Sequence, residues 1–167
     1  MSALGFLSPS RCKPGTLESP LRRALDGIDP AVVRDLWLDG KVEIRGDVDL
    51  VEPLAGEELI RLSPRRALLL TNEDPAEAVE RLRGQGVLAY DVTGALAGMA
   101  IEGERVMRRL TDLDLDRLPA AGPFARVTAV VLREEGERFR VYVPQELGHY
   151  VAEAVLDALA GLGDNGT

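Results

Sequence analysis

Ala67-Leu-Leu-Leu-Thr-Asn-Glu-Asp-Pro-Ala-Glu-Ala-Val-Glu-Arg-Leu-Arg-Gly84 changes its hydrophobic period in mid-course. Ala67 to Thr71 is a short apolar run behind the turn Ser63-Pro64-Arg65-Arg66, and it reads as a strand. Asp74 then supplies a helix N-cap, Pro75 the first helical position and Glu77 the third-position acid of a capping box. Ala78, Val79 and Leu82 recur at helical spacing until Gly84-Gln85-Gly86 ends the run. The chain repeats this order near its end. Phe139 to Val143 is a strand, Pro144 opens a helix, and Leu147, Val151, Val155, Leu159 and Leu162 form its buried stripe. A strand that hands over to a covering helix, twice, is the signature of an α+β fold.

Working outward, Lys41 to Arg45 alternates polar and apolar residues as a half-buried strand does, and Glu58 to Leu62 pairs with the strand at 67–71. Val87 to Thr93 and Ala95 to Glu102 read as a hairpin turning at Gly94. Val106, Met107 and Leu110 mark a short helix. Gly122-Pro123 reads as a break, after which Phe124 to Leu132 and Phe139 to Val143 form the last hairpin across Glu134 to Glu137. Asp29-Pro30 starts a short helix carrying Val32, Val33, Leu36 and Trp37, which Gly40 stops. Strand pairs alternating with single helices predict a ferredoxin-like antiparallel or mixed sheet covered by helices. Residues 1–28, rich in Ser, Pro and Gly, read as a flexible arm with one short helix at Leu21 to Leu25. Residues 29–163 read as a single α+β domain and 164–167 as a tail.

Composition narrows the chemistry. A chain of 167 residues can bury about 70% of its unfolded surface, enough for one core. Twenty-eight acidic against 20 basic side chains give a net charge of -8, which disfavours nucleic acid and anionic lipid as partners. One Cys allows no internal disulfide and fits a reducing compartment; one Cys and one His exclude a zinc site built from several such ligands. No run approaches the ~18 apolar residues of a membrane span, and nothing reads as a signal peptide, so a cytoplasmic location is expected.

The motifs with chemical potential have plainer readings. Gly84-Gln-Gly-Val-Leu-Ala89 fits the dinucleotide pattern G-x-G-x-x-A, but it closes a helix and precedes a strand, the reverse of the phosphate-binding order. Asp112, Asp114 and Asp116 alternate like calcium-loop ligands, yet Arg117 and Pro123 stand where that loop needs Gly and Glu. Leu113, Leu115 and Leu118 between them read as core anchors. His149 has no nucleophile to activate, and Cys12 reads as a surface thiol between Arg11 and Lys13. Of the pairs Arg22-Arg23, Arg65-Arg66 and Arg108-Arg109, most should meet neighbouring carboxylates, and one could mark an interface. No catalytic residue and no metal site emerge.

Tyr90-Asp-Val-Thr-Gly-Ala-Leu-Ala-Gly-Met-Ala-Ile-Glu-Gly-Glu-Arg-Val-Met-Arg-Arg-Leu110 resembles the gamma subunit of heterotetrameric sarcosine oxidase and, more distantly, the folate-binding aminomethyltransferase of glycine cleavage. Asp91-Val92-Thr93 is similar to that family's D-V-S strand end, and Ile101-Glu102-Gly103 to its L-x-G. Thr111 to Asp116 is similar to its C-P-L-D-L segment, Leu62 to Leu70 to its L-G-P-D-E-W-L-L hairpin, and Phe139 to Val143 to its F-x-L-x-V. The resemblance spans roughly residues 41–163. It implies the α+β fold of the folate-binding domain of aminomethyltransferases and a non-catalytic role beside larger oxidase-type subunits, with flavin only in the partner. Tetrahydrofolate binding in one-carbon metabolism is the alternative it leaves open, as is self-association.

By analogy with that fold, Tyr90, Arg126 and Tyr142 would line a ligand pocket. Phe6, Leu7, Arg65 and Arg66 would belong to an interface. The departures weigh against transferase chemistry. Phe124 to Arg133 reads straight through where aminomethyltransferases carry a G-G-I-x-D hairpin, and no Asp occupies its place. Ala67 replaces the hairpin Trp and Thr111 the motif Cys. The K-G-C signature of folate-dependent iron–sulfur repair relatives is missing, and the chain is too short for the further domains of a full aminomethyltransferase.

Overall fold

The computed structural model describes residues 19–163, so Phe6, Leu7, Cys12 and the tail 164–167 lie outside the described residues. In chain order the strands and helices are β1 (Val33–Asp35), β2 (Gly40–Arg45), β3 (Glu58–Ser63), β4 (Arg66–Thr71), α1 (Pro75–Gly84), β5 (Leu88–Asp91), β6 (Leu96–Glu102), α2 (Glu104–Leu110), β7 (Ala120–Phe124), β8 (Val127–Arg133), β9 (Arg138–Pro144) and α3 (Gly148–Gly163). Every strand pairing is antiparallel. The α+β class stands, but there are two sheets where one was expected. The first runs β3-β4-β2-β5 and the second β1-β6-β9-β8-β7.

Alternation along the strands explains the layering. In β4, Ala67 and Leu69 face α1, whereas Leu68 and Leu70 face the second sheet. In β9, Phe139, Val141 and Val143 face α3 and its neighbours, whereas Tyr142 faces the first sheet. Strands buried on both faces read as unbroken apolar runs, which is why Leu68-Leu69-Leu70 shows no period of two. The result is four layers: α1, the first sheet, the second sheet, then α2 with α3. The two helix-bearing cores are the larger ones. The layer between the sheets holds Leu36, Ile60, Leu68, Leu70, Ala100, Leu132 and Tyr142.

The repeated order seen in the sequence is a repeated topology. In the first sheet β4 lies between β3 and β2 and leads into α1; in the second, β9 lies between β8 and β6 and leads into α3. The series β3-β4-β2-β5 therefore matches β8-β9-β6-β1, with β1 taking the place that β5 fills in the first sheet.

Four local expectations are corrected. The helix at 30–39 is a single turn followed by β1. Asp29 does cap it, accepting the Ala31 N–H at 2.9 Å, but β-branched Val33 pairs with Ile101 of β6 instead of continuing the coil. The supposed hairpin at 87–102 is split between sheets, because β5 pairs with β2 and β6 with β9; Gly94 lies in the 3₁₀ turn Thr93–Ala95 that carries the chain across. Gly122-Pro123 is no break but part of β7, an edge strand where proline's missing N–H costs no sheet bond. Phe124 to Arg133 does not run straight: Ala125 (φ 47°) and Arg126 (φ 67°) form a two-residue hairpin turn between β7 and β8. Of the expected arm, Ala24, Leu25 and Ile28 lie half-buried against the second sheet's core while Arg22, Arg23, Asp26 and Gly27 are exposed. Leu21 is wholly buried, its Cδ2 3.0 Å from where a Cβ on Gly148 would stand.

Candidate functional site

A buried polar constellation lies at the rim of the layer between the sheets, where the loop from β1 to β2 crosses it. Lys41 follows Gly40 at the start of β2 and points inward with Glu43, opposite Val42 and Ile44. The period-two reading placed Lys41 on a solvated face. The second sheet covers that face, so Lys41 is wholly buried. Its Nζ donates to the carbonyl oxygens of Leu36 at 3.2 Å and Asp39 at 2.7 Å, and lies 5.7 Å from the centre of the Tyr142 ring. The Tyr142 hydroxyl donates to Asp39 Oδ2 at 3.2 Å. The Lys41 N–H donates to Thr93 Oγ1 at 3.0 Å, tying in the crossover turn.

The tyrosine fits because its cross-strand partner is Gly98. A Cβ there would stand 2.7 Å from Tyr142 Cε1 and 3.2 Å from Leu36 Cβ. Beside it, Arg140 reaches across to Glu58 of β3 in a close ion pair and also meets Glu134 at 2.9 Å. Burial pushes the Lys41 amine below its ordinary range, against the opposing pull of Asp39, Asp35 and Asp91. Burial likewise pushes the Tyr142 hydroxyl well above its ordinary value, and Asp39 adds to that. A neutral amine in a cleft would be a candidate base or nucleophile. Here two carbonyls and a ring occupy the amine, and the tyrosine is spent on Asp39. The cluster's work is to staple the loop Leu36–Asp39 to both sheets.

Two openings adjoin it, and a third lies at the far end of β2. An apolar groove of about 320 Å³ is lined by Trp37, Leu38, Pro75, Gly94 and Leu96 among others, with Trp37 and Leu38 partly in solvent. A polar cleft of about 120 Å³ lies among Asp39, Glu58, Thr71, Asn72 and Arg140. The third, about 350 Å³, is lined by Arg45, Gly46, Arg65, Arg66 and Leu88.

The predicted pocket residues stand apart. Tyr142 is sealed in the middle of the second sheet; Tyr90 is half-exposed on β5, the edge of the first; Arg126 is exposed at the tip of the β7–β8 hairpin. The predicted interface arginines, by contrast, share one surface. Glu43 holds Arg66 at 2.9 Å and Arg45 at 3.0 Å, while Arg65 pairs with no carboxylate among the described residues. Burial pushes the Glu43 carboxyl up, but the hydrogen bonds from Arg45 and Arg66 together outweigh it and hold the group below its ordinary value.

His149 lies on the exposed face of α3, 3.3 Å from Glu153. Asp114 and Asp116 pair with Arg117 and Arg133, and no group of three metal-ligating side chains occurs among the described residues. Among those residues no helix is long and apolar enough to cross a membrane. Sequence reasoning missed Lys41. The one signal for it was compositional: a chain with 18 Arg keeps Lys only at 13 and 41.

No protein-family model matches this sequence, and neither does any curated protein. Among solved structures, a chain of the heterotetrameric sarcosine oxidase from Corynebacterium sp. U-96, studied in complex with pyrrole 2-carboxylate, superposes with a TM-score of 0.74. The match covers 87% of this chain and 95% of that one at 15% identity. The regulatory subunit of aspartate kinase from Thermus thermophilus gives a TM-score of 0.47 at 16% identity over 75% of this chain and 96% of that one. The fold of this chain is thus the fold of a chain of sarcosine oxidase, as the resemblance read from the sequence implied.

Proposed function

We propose that this chain is a non-catalytic subunit of a flavin-dependent oxidase complex of the sarcosine oxidase type, holding no flavin itself. The observation that carries the reading is the near-complete overlap with one chain of a heterotetrameric oxidase. The inner cluster supports it, because the perturbed groups, Lys41 and Tyr142, are consumed in holding the fold together. The test is coexpression of the full chain with the flavoprotein oxidase chains of its own host. The expected result is a stable complex whose flavin travels with the larger chains, and no amine oxidation by this chain alone. Turnover of sarcosine by the isolated chain, or failure to form any complex, overturns the reading.

A second reading, tetrahydrofolate binding, is favoured by the groove beside Trp37, whose apolar walls suit a flat heterocycle. Saturable quenching of Trp37, the only tryptophan, on adding tetrahydrofolate would support it; an unchanged spectrum at millimolar ligand would end it.

A further inference from the structure

The inner face of the first sheet is only half covered. Towards β3 and β4, Ile60, Leu68 and Leu70 are packed against the second sheet. Towards β2 and β5 the cover stops, and the cross-strand rows Leu68–Glu43–Tyr90 and Arg66–Arg45–Leu88 run out into solvent. Leu88 is 59% exposed and Tyr90 45%. The second row puts two guanidinium groups directly opposite each other across the ladder, an arrangement that costs stability unless something neutralises it. Glu43 is the one carboxylate between them, and it accepts from both. One positive charge is left over, and Arg65 in the adjoining turn adds another. Arg45 also stacks over the Tyr90 ring, 5.9 Å from its centre, which holds its fork in place.

We propose that this face is the docking surface for an acidic segment of a partner protein, one that sets carboxylates on Arg45, Arg65 and Arg66 and an apolar side chain on Leu88 and Tyr90. Charge complementarity carries the assignment: surplus guanidinium is gathered here on a chain whose net charge is -8. Guanidinium forks suit carboxylates in pairs, and the exposed Leu and Tyr beside them supply the apolar contact that such anchors need. The Arg108-Arg109 pair on α2 shows the contrast, since Arg108 is taken by Glu104 and Arg109 by the Ala158 carbonyl. The partner meets the face and not the strand edge, because the Ala89 carbonyl on β5 already accepts from Arg83 at 3.1 Å.

The inference rests on the subunit reading and is tested within it. Affinity of the full chain for its oxidase partner is measured by calorimetry at low and high salt, for the native chain, Arg65→Glu and Leu88→Asp, with Arg117→Glu as a distant control. Arg65→Glu breaks no ion pair of the fold, so its folding is not at issue. The expected result is binding at least about tenfold weaker for Arg65→Glu and Leu88→Asp, unchanged for the control, and weaker in salt for the native chain. A complex indifferent to both substitutions overturns this inference and leaves the subunit reading intact. If no oxidase complex forms, the subunit reading falls and a synthetic Glu/Asp-rich peptide with a central Phe decides: saturable binding that Arg65→Glu abolishes upholds the surface, and its absence overturns it. Binding of a single-stranded oligonucleotide through the same arginines would also overturn it.

Discussion

Gly98 and Tyr142 show how much one position can carry. They face each other across β6 and β9, and the ring lies where any larger residue at 98 would put its first carbon. Gly98→Ala should therefore destabilise the protein by about 1–3 kcal/mol, the cost of overpacking a filled site, measured by denaturant titration. An unchanged midpoint would show that the ring has room to move. Tyr142 was legible in the sequence only as a candidate ligand contact. That it closes the fold follows from a partner more than forty residues away, which no local pattern reports. Lys41 was misread for the same reason: alternation says that two faces differ, but not which of them another sheet will cover.

The elements that were legible are those whose signals are local. The N-cap at Asp74, where the side chain accepts the Ala76 N–H at 2.8 Å, and the proline behind it mark α1, and Pro144 marks the approach to α3. Hairpins with glycine or proline turns were placed within a residue or two, as at 63–66 and 134–137. The hairpin joining β7 to β8 escaped notice because its turn residues are Ala125 and Arg126, not the Asn-Gly that left-handed backbone favours. Non-glycine residues in that conformation cost about 1–2 kcal/mol each. Arg126 is exposed, so Arg126→Gly should raise stability by up to about 1 kcal/mol, read as a higher midpoint in denaturant. A loss of stability would mean that the arginine side chain does work the fold needs.

For the whole molecule, the α+β class and the strand–helix repeat could be read in advance, whereas the division into two stacked sheets could not. Gly94 sits where a hairpin and a crossover look alike in sequence, and only pairing with β2 or β9 separates them. Arg65 and Arg66, the arginines of the proposed interface, were legible as a pair; their face was not, since it depends on where the second sheet ends. The layer between the sheets is thin, so Leu132→Ala, at a position 1% exposed within it, should cost about 2–5 kcal/mol by thermal or chemical unfolding. A smaller loss would show that the sheets can close the gap.

The place of β1 has a consequence for how the protein is made. All strands of the first sheet fall between Gly40 and Asp91, so that sheet can close once this stretch has left the ribosome. Val33 to Asp35 emerge earlier still, yet their partners are Met99 to Ile101. The earliest-synthesised of the described strands must wait through the assembly of the other sheet before it completes its own.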